Sequence, residues 1–259
     1  MKRETSRSLD HLVGDQINKW EDQRIDQKKS SEPYRPRPCI TISRDPGSGG
    51  TGVARRLAQD LGMDLMGAKI IQQVAERADM SEKVIASLDE KEVRLRDSWL
   101  DSLFRTNHLW PDEYVHHLTK VIGTIGKQGN AIIIGRGGQF ILPPDETFRV
   151  RLVAQREFRI HNVMRDSKTD FETAERYVYK TEADRNAFHH KHFRADWTNP
   201  IHYDLIVNTG SLGFEGTVAV VKNAFAEWGK HQRDSPLSTE NGGLKNTLLK
   251  RYGKGDEAK

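Results

Sequence analysis

A glycine-rich loop is the first part of this sequence whose residues suggest chemistry. The loop follows an apolar run at 39–43 and consists of Gly47, Ser48, Gly49, Gly50, Thr51 and Gly52. Successive glycines let the backbone curl until several N–H groups point the same way, and the start of a helix adds positive potential there. The same glycines also fit a plain turn. The order of strand, loop and helix (53–61) favours a phosphate-binding cradle.

The loop matches the P-loop pattern G-x-x-x-x-G-K-S/T only in part. Gly49 fits the second glycine and Thr51 fits the hydroxyl position. Arg44 stands at the first glycine and Gly50 stands at the lysine. That lysine normally supplies the cation that reaches the terminal phosphates. A guanidinium pairs with phosphate through a planar fork, so a nearby arginine is a chemically competent substitute. The candidates in this sequence are Arg44, Arg55 and Arg56.

The elements that would position this loop alternate between short strands and helices. Strands are expected at 39–43, 131–134, 148–153 and 205–207, and each contains Ile or Val. Helices are expected at 53–61, 69–78, 82–105, 113–127, 156–166, 171–192 and 213–228. Short apolar strands separated by helices are typical of a parallel sheet covered on both faces. The sequence therefore predicts an α/β fold.

Changes in composition divide the chain into three regions. Residues 1–38 form a polar extension that ends in a proline-rich linker, 39–229 form the domain, and 230–259 form a basic tail that we expect to be solvated. Within the domain, the interval between the first two strands is too long for a simple crossover. It predicts an inserted helical lobe at about 63–128, and it is acidic, with six basic and ten acidic residues between positions 76 and 115.

The positive charge of the chain is concentrated in its ends. The 259 residues carry a net charge of +4 and a pI near 9.1, but residues 39–229 alone carry −1. Nucleic-acid binding is therefore a hypothesis for the tails only, and the tails contain no recognisable nucleic-acid motif. No apolar stretch approaches the roughly 18 residues that span a bilayer. A single cysteine, Cys39, excludes an intrachain disulfide framework, and we expect a cytoplasmic protein.

Three segments resemble the cytidylate kinase-like family, a branch of the nucleoside monophosphate kinases, over about residues 39–226. The first segment is 42–50, which reads I-S-R-D-P-G-S-G-G with the lysine already missing. The second is 132–138, I-I-I-G-R-G-G, which is similar to the family's strand and G-R segment. The third is 184–209, which resembles a mobile lid followed by a late strand of the sheet.

The resemblance implies a fold and a reaction. The fold would be a three-layer α/β/α P-loop kinase with a mostly parallel sheet, an inserted helical lobe that binds nucleotide, and a lid at about 171–200. The reaction would transfer the γ-phosphoryl group of ATP to CMP or dCMP with Mg²⁺, giving CDP or dCDP. Small nucleotides would then be the partners, and the loop at 47–52 would bind the ATP phosphates.

The resemblance also implies roles for individual residues. Thr51, directly or through a water, would lie near Mg²⁺. Arg136, at the end of a core strand, would bind the CMP phosphate. Lys180 and Arg185 would close over the phosphates as lid cations, and Asp184 would orient them. Together with Arg44, these cations would surround the migrating charge, which is what phosphoryl transfer requires of a protein.

The chain departs from better-known cytidylate kinases at several of these positions. Gly137 stands where those enzymes have an aspartate after the arginine, and Ala183 and Ala187 stand where two lid arginines are expected. With Gly50 in place of lysine, these departures favour an alternative function. The alternative is a nucleotide-binding regulatory module that kept the fold and lost catalysis.

A cluster of histidines, His189, His190 and His192, lies in the lid segment. Adjacent histidines on a helix point in different directions, and no carboxylate or cysteine stands at ligand spacing beside them. We expect a solvated or stacking role, with added positive charge on the lid below pH 6.5.

Overall fold

The computed structural model describes residues 11–22, 25, 38–76, 83–84 and 113–234. These residues form a five-stranded sheet in the order β2-β3-β1-β4-β5, in which every neighbouring pair is parallel. The strands are β1 (Cys39–Arg44), β2 (Asp64–Met66), β3 (Ala131–Ile134), β4 (Thr147–Val153) and β5 (Leu205–Asn208). The predicted α/β fold with a parallel sheet is confirmed.

Helices separate the strands along the chain. They are α1 (residues 11–22), α2 (Gly50–Leu61), α3 (Ala68–Ala75), α4 (Glu113–Gln128), α5 (Gly138–Ile141), α6 (Arg156–Ser167), α7 (Phe171–Phe193) and α8 (Thr209–Asp234). A short 3-10 turn at Pro200–His202 precedes β5. Apart from residues 83–84, the helix predicted at 82–105 lies outside the described residues. Among the described residues, no helix is both long enough and apolar enough to span a membrane.

The central strands are buried on both faces, which explains their apolar sequence. One hydrophobic cluster joins β1, β3 and β4 to one face of α2 and to the middle of α8. Its members include Ile40, Ile42, Val53, Leu57, Ile132, Val150, Leu152, Val218 and Val221. This packing holds the beginning of α2, and therefore the glycine loop, at the carboxyl end of β1.

Strand β2 lies at the edge of the sheet, and the sequence reasoning missed it. Asp64 pairs with Ala131 and Met66 pairs with Ile133 in parallel register. The strand has only three residues and begins with a charged one, so it lacks the apolar run that identifies a buried strand. Residues 64–66, placed in the inserted lobe by the sequence prediction, therefore belong to the sheet.

The chain divides into two compact units. One unit comprises residues 38–68 and the described part of 130–238, and it contains the sheet and the glycine loop. The other comprises the described parts of 1–37 and 69–129, and it has its own buried apolar side chains. These include Val13, Trp20, Ile71, Val74, Val115, Leu118 and Ile122.

Candidate phosphate-binding site

The glycine loop connects the carboxyl end of β1 to the first turn of α2. The helix begins at Gly50, three residues earlier than predicted, so Thr51 and Gly52 lie in its first turn. Gly49 is the N-cap residue and has a left-handed backbone with φ of 76°. The loop therefore delivers the positive end of a twelve-residue helix to the carboxyl edge of the sheet, where parallel α/β sheets place ligands.

Side chains from distant parts of the chain hold two successive carbonyl groups of the loop. Asn162 Nδ2 donates to the Gly47 carbonyl at 2.9 Å, and Thr209 Oγ1 donates to the Ser48 carbonyl at 2.8 Å. Gly47 packs tightly on α6, because a β-carbon there would lie 2.3 Å from the Arg159 carbonyl oxygen. The backbone of the loop is thus fixed on its outer side.

Four backbone N–H groups of the loop, those of Gly47, Gly49, Gly50 and Thr51, have no acceptor in the described part of the chain. Orphan N–H groups at a helix start attract anions. Gly52 was also predicted to bind phosphate, but its N–H donates to the Gly49 carbonyl at 3.0 Å. The loop therefore leaves four backbone N–H donors without an acceptor among the described residues.

Arg44 occupies the space where the lysine of a P-loop would begin. Its aliphatic stem packs against Gly50, and its guanidinium reaches Gly135 at the end of β3. A β-carbon at Gly135 would lie 2.5 Å from Nη1 of Arg44. Arg56 does not take this role, because it pairs with Asp60 at 2.9 Å on the outer face of α2.

Three arginines influence one another at this edge of the sheet: Arg44, Arg136 and Arg185. Arg185 Nη1 donates to the backbone carbonyl of Arg44. Arg136 Nε donates to the Ala68 carbonyl at 3.4 Å. The pKa of Arg44 is lowered to about 9. Burial is the largest cause, and the positive charges of Arg185 and Arg136 add to it. Burial also lowers the pKa of Arg185. Clustered like charges are stabilised by an anion, so this cluster fits a phosphate ligand.

The structure does not bring the other two predicted lid residues into this cluster. Lys180 and Asp184 are both exposed on α7. Neither makes a hydrogen bond or an ion pair with another described residue. Asp184 therefore does not orient Arg185 here. The acidic group on α7 that does hold an arginine is Glu182, which pairs with the buried Arg159 at 2.9 Å.

A buried polar network beside the loop was missed by the sequence reasoning. Arg151 donates to Asp45 at 3.0 Å and to the Trp197 carbonyl at 2.9 Å, and its guanidinium lies 4.1 Å from the centroid of the Trp197 ring. Burial raises the pKa of Asp45, while Arg151 acts in the opposite direction. An arginine inside the apolar run of β4 was the signal that could have revealed this network. It ties the segment after α7 to β4 and to the residue that follows β1.

The members of the histidine cluster differ in burial: His190 is exposed, whereas His189 is buried. His189 is 5% exposed, and its ring stacks on Trp197 with centroids 5.4 Å apart. Burial, with Arg185, Arg151 and Arg136 nearby, lowers the pKa of His189 to about 4. The expected stacking role is correct for this residue. The expectation that it adds charge to the lid below pH 6.5 is wrong, because protonation would bury a cation among arginines.

Helix α7 leaves no room for a side chain at Gly137. Its φ is 75°, and a β-carbon there would lie 2.3 Å from ring atoms of Phe193. Phe193 is 1% exposed at the end of α7 and stacks on Phe140 with centroids 5.3 Å apart. The ring of Phe193 therefore fills the place where an aspartate side chain would start.

The donor groups near the loop suit a magnesium ion that is held mainly by a nucleotide. Among the described residues, no group of three His, Cys, Asp or Glu side chains could hold a metal. Thr51 is exposed in the first turn of α2 and offers one hydroxyl oxygen. Mg²⁺ commonly keeps several waters and takes its other ligands from substrate phosphates, so this sparse donor set fits.

Comparison with known proteins gives the family and the relatives of this chain. The model of the cytidylate kinase-like family matches residues 39–211. The cytidylate kinase of Archaeoglobus fulgidus is 26% identical over 187 residues, which cover 71% of this chain and 93% of that protein. The cytidylate kinase of Ignicoccus hospitalis is 26% identical over 184 residues, covering 71% and 96%.

Among solved structures, an uncharacterized protein from Eubacterium ventriosum covers 72% of this chain and 97% of its own, with a TM-score of 0.54 and 18% identity. That likeness concerns the fold alone. The family match spans the glycine loop, the G-R segment and helix α7. The chain therefore belongs to the cytidylate kinase-like family of phosphotransferases.

Proposed function

We propose that this protein transfers the γ-phosphoryl group of ATP to CMP or dCMP, giving ADP and CDP or dCDP. The observation that carries the proposal is the cluster of Arg44, Arg136 and Arg185 at the edge of the sheet that holds the glycine loop. The cluster provides cations where two phosphate-bearing substrates would meet. The curated relatives named cytidylate kinase support the choice of acceptor.

The reaction needs positioning and charge more than covalent help. The orphan N–H groups of the loop would bind the β-phosphate of ATP, and Arg136 would bind the acceptor phosphate. An oxygen of that phosphate attacks the γ-phosphorus while the bond to the β-phosphate oxygen breaks, so ADP leaves. Arg44 and Arg185, which lie within one cluster, would stabilise the charge that develops between the substrates. Lys180 would add a further cation from α7.

Magnesium fits this scheme with Thr51 and the phosphate oxygens as its ligands. The ion would neutralise charge on the phosphate chain. In this proposal the remaining ligands of the ion would be water molecules.

A screen of acceptors tests the proposal. Purified protein is incubated with ATP and Mg²⁺ and with CMP, dCMP, UMP, AMP or GMP in turn, and ADP release is measured. The highest kcat/KM is expected with CMP or dCMP. Arg136→Gln should raise the KM for the acceptor by roughly 10- to 100-fold, the range for a lost charged hydrogen bond. Arg165→Gln is the matched control, because Arg165 is an exposed arginine on α6 paired with Asp166.

The same screen separates the alternative function, a regulatory module that binds nucleotide without transfer. The exposed alanines Ala183 and Ala187 on α7, at positions expected to hold arginine, favour that alternative. ATP binding measured by calorimetry, with no ADP formed from any acceptor, would support it. ADP release above background with CMP or dCMP would reject it.

A further inference from the structure

We infer that Thr209 is a positioning residue for phosphate binding: its hydroxyl holds the Ser48 carbonyl so that the N–H of Gly49 faces the phosphate chain. The inference rests on the proposed function, since it takes the glycine loop to bind a polyphosphate. It assigns a role to the first residue of α8, which the reaction scheme above does not use.

Thr209 is held firmly at the start of α8. The preceding residue, Asn208, caps the helix, because its Oδ1 accepts from the N–H groups of Gly210 at 3.1 Å and Ser211 at 3.3 Å. Thr209 is only 4% exposed. Its Oγ1 lies 2.8 Å from the Ser48 carbonyl oxygen and 3.2 Å from that of Val153, so the shorter contact is to the loop.

The direction of one N–H group follows from this contact. The peptide unit between Ser48 and Gly49 is planar and trans, so its C=O and N–H point in opposite directions. The carbonyl points to Thr209, and the N–H of Gly49 therefore points away from Thr209. That N–H is one of the four in the loop with no acceptor in the described part of the chain.

The peptides on either side have their own hydrogen bonds, since the Ser48 N–H donates to the Asp45 carbonyl and the Gly49 carbonyl accepts from Gly52 and Val53. The peptide between Ser48 and Gly49 is held, within the described part of the chain, by the Thr209 hydroxyl. Gly49 has φ of 76°, and a β-carbon there would meet no heavy atom within 4 Å. A glycine with open space around it can rotate at low cost. A rotated peptide would aim the Ser48 carbonyl at the phosphate chain and repel it. The hydrogen bond from the Thr209 hydroxyl to the Ser48 carbonyl opposes this rotation.

Three variants test the inference. Thr209→Val removes the hydroxyl at nearly constant volume, and Thr209→Ser keeps it. Thr217→Val is the matched control, because Thr217 is also buried on α8 and its Oγ1 donates to the Gly213 carbonyl at 2.6 Å. Binding of ATP, inorganic tripolyphosphate and CMP is measured by calorimetry, and thermal stability is recorded for each variant.

Thr209→Val should weaken the binding of both ATP and tripolyphosphate by about 10-fold, the loss that corresponds to about one net hydrogen bond. It should leave the affinity for CMP within about twofold. Thr209→Ser and Thr217→Val should keep ATP affinity within about twofold of the wild type, even where Thr217→Val lowers thermal stability. If Thr209→Val does not fold, Thr209→Cys replaces it, because a thiol of similar size is a weak donor.

Several results would overturn the inference. Equal ATP affinities for Thr209→Val and Thr217→Val would show that the hydroxyl of Thr209 does not position the loop for phosphate binding. Failure of the wild type to bind either ATP or tripolyphosphate would also reject it, together with the proposed function. One outcome separates the role of Thr209 from the proposed reaction. In it, Thr209→Val selectively loses tripolyphosphate binding, and the wild type forms no ADP with any monophosphate. In that outcome Thr209 keeps its role and the proposed reaction fails.

Discussion

Arg44 packs so closely against Gly50 that position 50 cannot carry a side chain while Arg44 keeps its place. A β-carbon at position 50 would lie 2.7 Å from Cβ of Arg44 and 3.0 Å from its Cγ. Real β-carbons do not approach other carbons this closely, so any side chain at position 50 requires Arg44 to move. The missing lysine of the P-loop pattern and the arginine at the first glycine position are therefore one structural feature.

The first prediction exchanges these two residues. Gly50→Lys alone should lower kcat/KM rather than raise it, because the new side chain displaces Arg44. Arg44→Gly alone removes a cation and should lower kcat/KM by about 100-fold. The double variant Arg44→Gly/Gly50→Lys recreates the complete P-loop pattern and frees the space that the lysine needs. It should be more active than either single variant in the ADP release assay.

Alanine at position 44 is the control for the steric part of this argument. Arg44→Ala/Gly50→Lys retains the Cβ of residue 44 and so retains the 2.7 Å contact. It should recover less activity than the glycine version. Equal recovery in both double variants, or a gain of activity from Gly50→Lys alone, would contradict the steric relationship.

The second prediction concerns the glycine that replaces an aspartate. Gly137→Ala combines a left-handed backbone with a clash against Phe193. The left-handed backbone costs about 1 kcal/mol for a non-glycine residue, and overpacking adds roughly 1–3 kcal/mol. Gly62→Ala is the control, since Gly62 has φ of 64° and open space around its α-carbon. Chemical denaturation should show a larger loss of unfolding free energy for Gly137→Ala. Equal losses would mean that Phe193 moves aside freely.

Those parts of the fold that depend on local patterns were predictable from the sequence. Ile132 and Ile134 lie in a strand buried on both faces, so the strand reads as one apolar run. Helices α6 and α7 match the predicted spans to within one or two residues. Strand β2 was not predictable because three residues with one charge carry no periodic signal. Its strand character comes from pairing with β3.

In the candidate site, too, the features set by local sequence were predictable and those set by tertiary contacts were not. The glycine cluster together with the order of strand, loop and helix revealed the loop, because both signals are local in the sequence. The contacts that fix the loop were hidden, because they join residues far apart in the chain. Arg151 and Asp45 are 106 positions apart, and Thr209 and Ser48 are 161 positions apart. Such pairs are set by the order of strands in the sheet, and one sequence contains no signal for them.

The third prediction ranks the two lid cations. Arg185 is partly buried and bonded to the Arg44 carbonyl, whereas Lys180 is exposed. Arg185→Gln should therefore lower kcat by about 100-fold, and Lys180→Gln should lower it by less than about 10-fold. Arg185→Lys should resemble Arg185→Gln, because a lysine cannot reproduce the directed N–H of the guanidinium. The reverse ranking in single-turnover assays would show that α7 moves far enough to exchange the two cations.

The fourth prediction is a pH dependence of stability that originates at His189. Burial lowers its folded-state pKa to about 4, below the unfolded value of about 6.5. The unfolded chain therefore binds more protons between these pH values. The stabilising contribution of the neutral ring is complete above pH 6.5 and is lost as the pH falls toward 4. The unfolding free energy should decrease by up to about 1.4 kcal/mol per pH unit from this group.

His189→Phe isolates this contribution, because phenylalanine keeps a ring against Trp197 and cannot be protonated. Urea denaturation of both proteins is measured from pH 4.5 to 8. The difference in unfolding free energy between them should be constant above pH about 7.5. It should shift in favour of the variant at each step below pH about 6.5. Parallel curves across the whole range would mean that the ring of His189 gains access to water when it binds a proton, and that its stack on Trp197 opens at low cost.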